Sequence, residues 1–126
     1  RLNVELAPFF KDLPRRIANA HLVICRAGAS TIFELAQIGR PAIYVPLPGS
    51  LDQDQLHNAQ NMVDVGGGVI LEQGNLSPHL LATELTKILC DPEKLKTMAQ
   101  NAKKLSTQDA VAKLALVAQD AANEEE

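Results

Sequence analysis

Apolar positions along this chain fall into two alternating patterns. Leu22-Val23-Ile24-Cys25, Ala42-Ile43-Tyr44-Val45 and Val69-Ile70-Leu71 are unbroken apolar runs. Runs without polar alternation predict strands buried on both faces, as in a parallel sheet covered by helices. Between and after these runs the apolar residues recur with helical spacing. Ile32, Leu35 and Ala36 mark one stripe in a helix from Ala29 to Ile38, and Leu56, Ala59, Met62 and Val63 mark another from about Gln53 to Val65. Leu80, Leu81, Leu85, Ile88 and Leu89 define a third helix, Leu95, Met98, Ala99 and Ala102 a fourth, and an Ala-rich stretch from Ser106 or Thr107 a last one. Near the start, Leu2, Val4 and Leu6 alternate with polar residues, which predicts a short strand ahead of Pro8.

Punctuation residues sharpen these boundaries. Asp12 with Pro14 opens a short helix that closes near Asn19-Ala20, and Ser77-Pro78 and Asp91-Pro92 each read as an N-cap followed by a favoured first-turn proline. Gly39 fits the residue just past a helix, with Pro41 preventing continuation. Gly66-Gly67-Gly68 lacks the lysine and hydroxyl of a phosphate loop and reads as a helix terminator. The order is β-α-β-α-β-α-β followed by three helices. That is an α/β fold, a doubly wound Rossmann-like parallel sheet flanked by helices. One domain covers residues 1–122, and 123–126 form an acidic tail.

Composition removes several functions. A length of 126 residues, 46% of them hydrophobic and 21% charged, suits one globular domain with a real core. A net charge of -3 and only 3% aromatic residues argue against nucleic acid as a partner, which wants cationic and stacking surfaces. Cys25 and Cys90 are far apart in apolar surroundings, which favours buried thiols of a cytosolic protein over a disulfide. No run reaches the ~18 apolar residues of a membrane span. The chain begins with Arg1 rather than Met, the expectation for part of a longer protein.

The candidate chemistry gathers at the carboxyl ends of the predicted strands, where open α/β sheets bind ligands. Arg26-Ala27-Gly28-Ala29-Ser30-Thr31 is a small-residue turn leading into a helix. Small residues let a ligand approach the backbone, and the free N–H groups of Ala29 to Thr31 favour an anion such as a diphosphate. A plain tight βα turn is the alternative. The stretch is neither a Walker A loop nor a G-x-G-x-x-G fingerprint. Glu34 lies roughly 200° round the helix from Ile32 at ~100° per residue, off the core stripe, where a carboxylate can accept from both ribose hydroxyls. Asp54, Gln55 and Asn58 open the next helix, and amides both donate to and accept from sugar hydroxyls. N-capping by Asp52 or Asp54 explains one of these residues but not the set. Asp52-x-Asp54 also has the spacing of a hard-cation pair, although the pattern is common. His21, His57 and His79 share no metal-ligand spacing, Arg15 and Arg16 read as a solvated face, and no nucleophile–base pair emerges.

These motifs resemble one family in order and spacing, from about Val4 to Ala121. The strand and turn LVICRAGA, a glutamate two turns on, GRPAIYVPLP, D-x-x-Q-x-x-N-A in outline, and a double glycine before a strand are similar to the MurG family. Its members are bacterial transferases that add N-acetylglucosamine (GlcNAc) to lipid I, giving lipid II for peptidoglycan. The resemblance implies part of the C-terminal domain of a GT-B enzyme, binding UDP-N-acetylglucosamine (UDP-GlcNAc). Phe10 would sit beside the uracil. Arg26, Gly28, Ala29, Ser30 and Thr31 would surround the diphosphate, Glu34 would take the ribose, and Asp54, Gln55 and Asn58 would address the sugar. Many relatives carry Gln-Gln where this chain has Asp54-Gln55. The resemblance further implies an inverting reaction without metal or cofactor, at the cytoplasmic face of the bacterial inner membrane, peripherally attached. The lipid I acceptor, the membrane-facing patch and the catalytic base belong to an N-terminal domain outside this chain, so the chain alone is expected to be inactive. The rival readings are the donor half of another GT-B nucleotide-sugar transferase, including the two-chain kind, and a non-catalytic α/β interaction module. A NAD-binding domain ranks below both, since its fingerprint is missing.

Overall fold

The computed structural model describes residues 3–50 and 54–107. Leu2, Asp52, the expected helix start at Gln53, the Ala-rich helix beyond Thr107 and the tail 123–126 lie outside these residues. Eight elements follow in order: α1 (Leu13–Asn19), β1 (Val23–Cys25), α2 (Ala29–Ile38), β2 (Ala42–Tyr44), α3 (Asp54–Asp64), β3 (Gly68–Ile70), α4 (Pro78–Leu89) and α5 (Pro92–Leu105), with a 3-10 turn at Gln73–Asn75 before α4. The strands form a parallel sheet in the order β1-β2-β3, with Cys25 beside Tyr44 and Tyr44 beside Ile70.

The winding is double, as the apolar pattern requires. On one face Ala42 and Tyr44 pack with Ile32, Leu35 and Ala36 of α2 and Ala59 and Met62 of α3. On the other, Ile43 and Leu71 pack with Ile88 of α4 and Met98 of α5. Each fully buried Ile or Leu contributes about 1.5–3 kcal/mol. α5 serves both faces, since Ala102 and Leu105 join the first cluster and Met98 the second. It crosses the amino-terminal edge of the sheet, against Gly39 and the Gly66-Gly67 pair that lead into β2 and β3. The carboxyl ends of the strands are thereby left to the site.

Capping follows the expected chemistry at three places. The side chains of Ser77 and Asp91 accept from the N–H groups of Leu80 and Lys94, both at 3.1 Å. Gly39 adopts φ 81°, a left-handed conformation that closes α2.

Five expectations need correction. Residues 3–7 form no strand, because a strand needs a neighbour to complete its hydrogen bonds. Val4 is 67% and Leu6 90% exposed, and no ladder reaches them among the described residues. Among the described residues β1 lies at the edge of the sheet and is not buried on both faces, with Ile24 47% exposed; β2, in the middle, is the strand buried throughout. Asp12 makes no side-chain cap, since its carboxylate instead accepts from Arg16 Nε at 2.7 Å. Arg16 is no plain solvated face. It also donates from both terminal nitrogens to Glu5, at 3.0 and 2.9 Å, and lies 4.2 Å from the Phe10 ring centre. These contacts tie Glu5, Phe10 and Asp12, in the segment before α1, to that helix. Finally, both cysteines are free, but only Cys25 is partly buried; Cys90, at the end of α4, is exposed.

Candidate functional site

The turn after β1 is set by its neighbours. Ala27 is fully buried, and α2 starts at once after Gly28. Gly28 has φ -64° and ψ 151°, and no side chain caps the helix. The N–H of Ile32 closes the first helical turn on Gly28 O at 3.0 Å. The N–H groups of Ala29, Ser30 and Thr31 precede it, and no acidic residue stands in the first turn. They carry the partial positive charge of a helix start. Gly28 is informative for a second reason. Its φ suits any residue, and an added Cβ would meet nothing within 4 Å. Neither backbone conformation nor packing within the chain calls for glycine there, whereas close approach of a ligand to the backbone would.

α3 grips this turn from the side. Gln55 Oε1 accepts from the N–H of Ala27 at 3.3 Å and from the N–H of Leu47 at 2.8 Å. Asn58 Nδ2 donates to Ala27 O at 3.0 Å. Both residues were expected to address the sugar, and the structure finds these particular atoms bonded to backbone. The Gln55 Nε2 and the Asn58 Oδ1 are not used in these bonds. Asp54 is exposed at the start of α3. Arg26 reaches sideways to the loop after β2, donating from Nη1 to the carbonyls of Val45 and Pro46 at 3.2 and 3.5 Å. Glu34 is half-buried on α2, two turns beyond Gly28 and off the stripe formed by Ile32, Leu35 and Ala36. Phe10 is half-buried against Arg16, ahead of α1, which packs on α2.

The sequence-based set is therefore brought together in part. Arg26, Gly28 to Thr31, Gln55 and Asn58 converge on one turn, Glu34 follows along α2, and Phe10 is held by the segment before α1. A cavity of about 190 Å³ opens between the 46–50 loop, Leu56 and residues 72–74, past the ends of β2 and β3. The turn and this cavity lie beyond the carboxyl ends of the strands. Among the described residues no three His, Cys, Asp or Glu side chains come together to hold a metal ion, and no helix is long and apolar enough to cross a membrane.

Two features here escaped the sequence. The hydroxyl of fully buried Tyr44 has no hydrogen-bond partner among the described residues. Burial raises its pKa above the phenol range, with Cys25 on the neighbouring strand adding to the effect. Burial likewise pushes the Cys25 thiol up to about 11, so this thiol beneath the turn stays protonated at neutral pH. The second feature is the dual grip on Ala27. Only the i, i+3 spacing of Gln55 and Asn58 hinted that they share a helix face.

Comparison with known proteins identifies the family and agrees with the fold. Residues 1–114 match the glycosyltransferase family 28 C-terminal domain. A UDP-N-acetylglucosamine–N-acetylmuramyl-(pentapeptide) pyrophosphoryl-undecaprenol N-acetylglucosamine transferase from Nitrobacter hamburgensis is 49% identical over 115 residues, covering 91% of this chain and 31% of the relative. The transferase of the same description from Granulibacter bethesdensis is 54% identical over 110 residues, covering 87% of this chain and 29% of the relative. The crystal structure of Acinetobacter baumannii MurG superposes with a TM-score of 0.76 at 34% identity, over 89% of this chain and 35% of that one. Glycosyltransferase VinC, solved in complex with dTDP, shares the fold at a TM-score of 0.65 and 21% identity, over 88% of this chain and 28% of that one. The chain thus spans about a third of the length of the relatives it matches. From its motifs, its doubly wound parallel sheet and these likenesses, the chain belongs to the glycosyltransferase family 28 C-terminal domain family, with the MurG transferases.

Proposed function

We propose that this chain binds the donor, UDP-GlcNAc, in a transferase that adds GlcNAc to lipid I to make lipid II. On this reading residues 1–122 are part of the donor-binding domain, and an N-terminal region supplies the acceptor site and a peripheral attachment to the cytoplasmic face of the membrane. The observation that carries the reading is the start of α2. It is an uncapped helix N-terminus behind a glycine required by neither φ nor packing, at the carboxyl edge of a parallel sheet.

The chemistry follows from that position. The acceptor sugar's hydroxyl gives its proton to a base of the N-terminal region and attacks the anomeric carbon of GlcNAc from the face opposite the diphosphate. The bond from that carbon to the diphosphate oxygen breaks, its electron pair leaves with UDP, and the configuration inverts. Negative charge grows on the departing diphosphate. The N–H groups of Ala29 to Thr31 offset it without reorganising, because the helix already holds them in place. Arg26, at the same turn, adds a positive charge. Glu34 accepts from the ribose hydroxyls, Phe10 lies by the uracil, and the free polar atoms of Gln55 and Asn58, with Asp54, face the sugar.

Ligand-observed NMR tests this. Saturation transfer from the chain to both the uridine and the N-acetyl group, displaced by UDP and not by NAD, is the expected result, with UDP-glucose bound more weakly. Glu34→Ala is expected to reduce the transfer while leaving the circular dichroism spectrum unchanged. No transfer to the folded chain, and none to an N-terminally extended chain either, favours the interaction-module reading instead.

A further inference from the structure

The grip of α3 on Ala27 has a consequence for ligand binding. We infer that Gln55 and Asn58 are positioning residues for the diphosphate, acting through the backbone of the turn; this rests on the donor-site reading above. Asn58 Nδ2 holds the carbonyl of Ala27 at 3.0 Å, and Gln55 Oε1 holds its N–H at 3.3 Å. Two successive peptide planes on either side of one buried residue are thus fixed from a single helix. In a trans peptide the carbonyl and the following N–H point in opposite directions. With the Ala27 carbonyl turned toward α3, the Gly28 N–H is turned away from it. There it adds a donor to those of Ala29, Ser30 and Thr31, on the residue with open space around it.

Gln55 extends the device. Its Oε1 is also the acceptor for the Leu47 N–H, at 2.8 Å. One oxygen therefore ties the turn after β1 to the loop after β2, so the diphosphate side and the sugar side of the cleft are ordered together. Losing that oxygen frees two backbone donors at once, one of them on fully buried Ala27. The expected effect is on everything that binds the turn, whether or not it carries a sugar.

This separates positioning from direct sugar recognition. In Gln55→Met and Asn58→Ala, affinity for UDP is expected to fall about tenfold, which corresponds to ~1.4 kcal/mol, and affinity for UDP-GlcNAc at least as far, because both variants also remove the atoms that face the sugar. Amide hydrogen exchange at Ala27 and Leu47 is expected to quicken in Gln55→Met, with no comparable change in the core strand β2. Gln55→Glu retains an oxygen acceptor and is expected to restore slow exchange at both amides. Both titrations and exchange are run on the 126-residue chain. Loss of UDP-GlcNAc affinity with UDP affinity intact overturns the inference in favour of sugar contacts alone, and unchanged exchange at Ala27 and Leu47 overturns it as well. If neither the unsubstituted chain nor an N-terminally extended one binds UDP or UDP-GlcNAc, the donor-site reading fails and takes this inference with it.

Discussion

Gly67 and Gly28 should respond differently to one added methyl group, the first in stability and the second in binding. A Cβ on Gly67 would lie 2.7 Å from the Cα of Ala102, 2.8 Å from its N and 2.7 Å from the Sδ of Met62. The Met62 thioether can swing aside. The Ala102 backbone cannot, because α5 is anchored there by Ala102 and Leu105, both fully buried. Ordinary carbon contact is roughly 3.5–4.0 Å, so relief requires α5 or the entry to β3 to move by about 1 Å. Overpacking of this kind costs about 1–3 kcal/mol, and a rigid backbone obstacle puts Gly67→Ala near the upper end. Reduced freedom of the unfolded chain returns up to ~1 kcal/mol. The net loss is about 2 kcal/mol. At about 3–6 °C per kcal/mol for a domain of this size, Tm should fall by about 6–12 °C in circular dichroism melts at neutral pH. A Gly67→Ala variant melting within about 2 °C of the parent would refute the reasoning, because α5 would then not be wedged against the entry to β3.

Gly28→Ala is the counterpart: stability should change by less than about 1 kcal/mol, since the small cap preference for glycine opposes the entropy gain, while UDP binding weakens because the methyl group fills the ligand's approach; unchanged binding in isothermal titration contradicts this. Tyr44→Phe removes a buried hydroxyl with no partner among the described residues, so the variant should be more stable by about 1 kcal/mol in urea unfolding, and a loss of similar size would mean the hydroxyl is bonded after all. Alkaline pH should destabilise the chain. The Cys25 thiol, ordinarily 9.0, is pushed by burial up to about 11 in the fold, so the unfolded chain loses its proton first. Stability is then intact below about pH 9 and declines toward pH 11, and Cys25→Val should remove the decline between about pH 9 and 10 in urea titrations, the part above pH 10 being shared with the buried phenol of Tyr44.

Much of the scaffold was legible because it depends on local rules. Unbroken apolar runs, helical stripes and the Ser77-Pro78 and Asp91-Pro92 caps depend on residues within one or two turns of each other. The triple glycine was legible as a terminator but not as a packing device. Gly66 takes φ 82° to end α3, whereas Gly67 and Gly68 make room for α5 and the Tyr44 ring. What the sequence did not disclose depends on partners distant in the chain. Alternation at Val4 and Leu6 specified a face but not a neighbouring strand. The Ile24 run specified apolar residues but not an edge position. The grip of Gln55 and Asn58 on Ala27 joins residues about thirty positions apart through backbone atoms, which side-chain pattern does not encode. Arg16 looked like part of a charged surface until Glu5, Asp12 and Phe10 were placed around it.

The central claim is that the start of α2 receives a diphosphate. Its most direct test is a titration of the isotopically labelled chain with UDP, followed through backbone amide chemical shifts. The account expects the largest changes at Gly28, Ala29, Ser30 and Thr31, smaller ones at Glu34 and Leu47, and little at Arg40 and Lys96 near the opposite edge of the sheet. Shifts concentrated at that opposite edge, or none at the four amides while the chain remains folded, would contradict it.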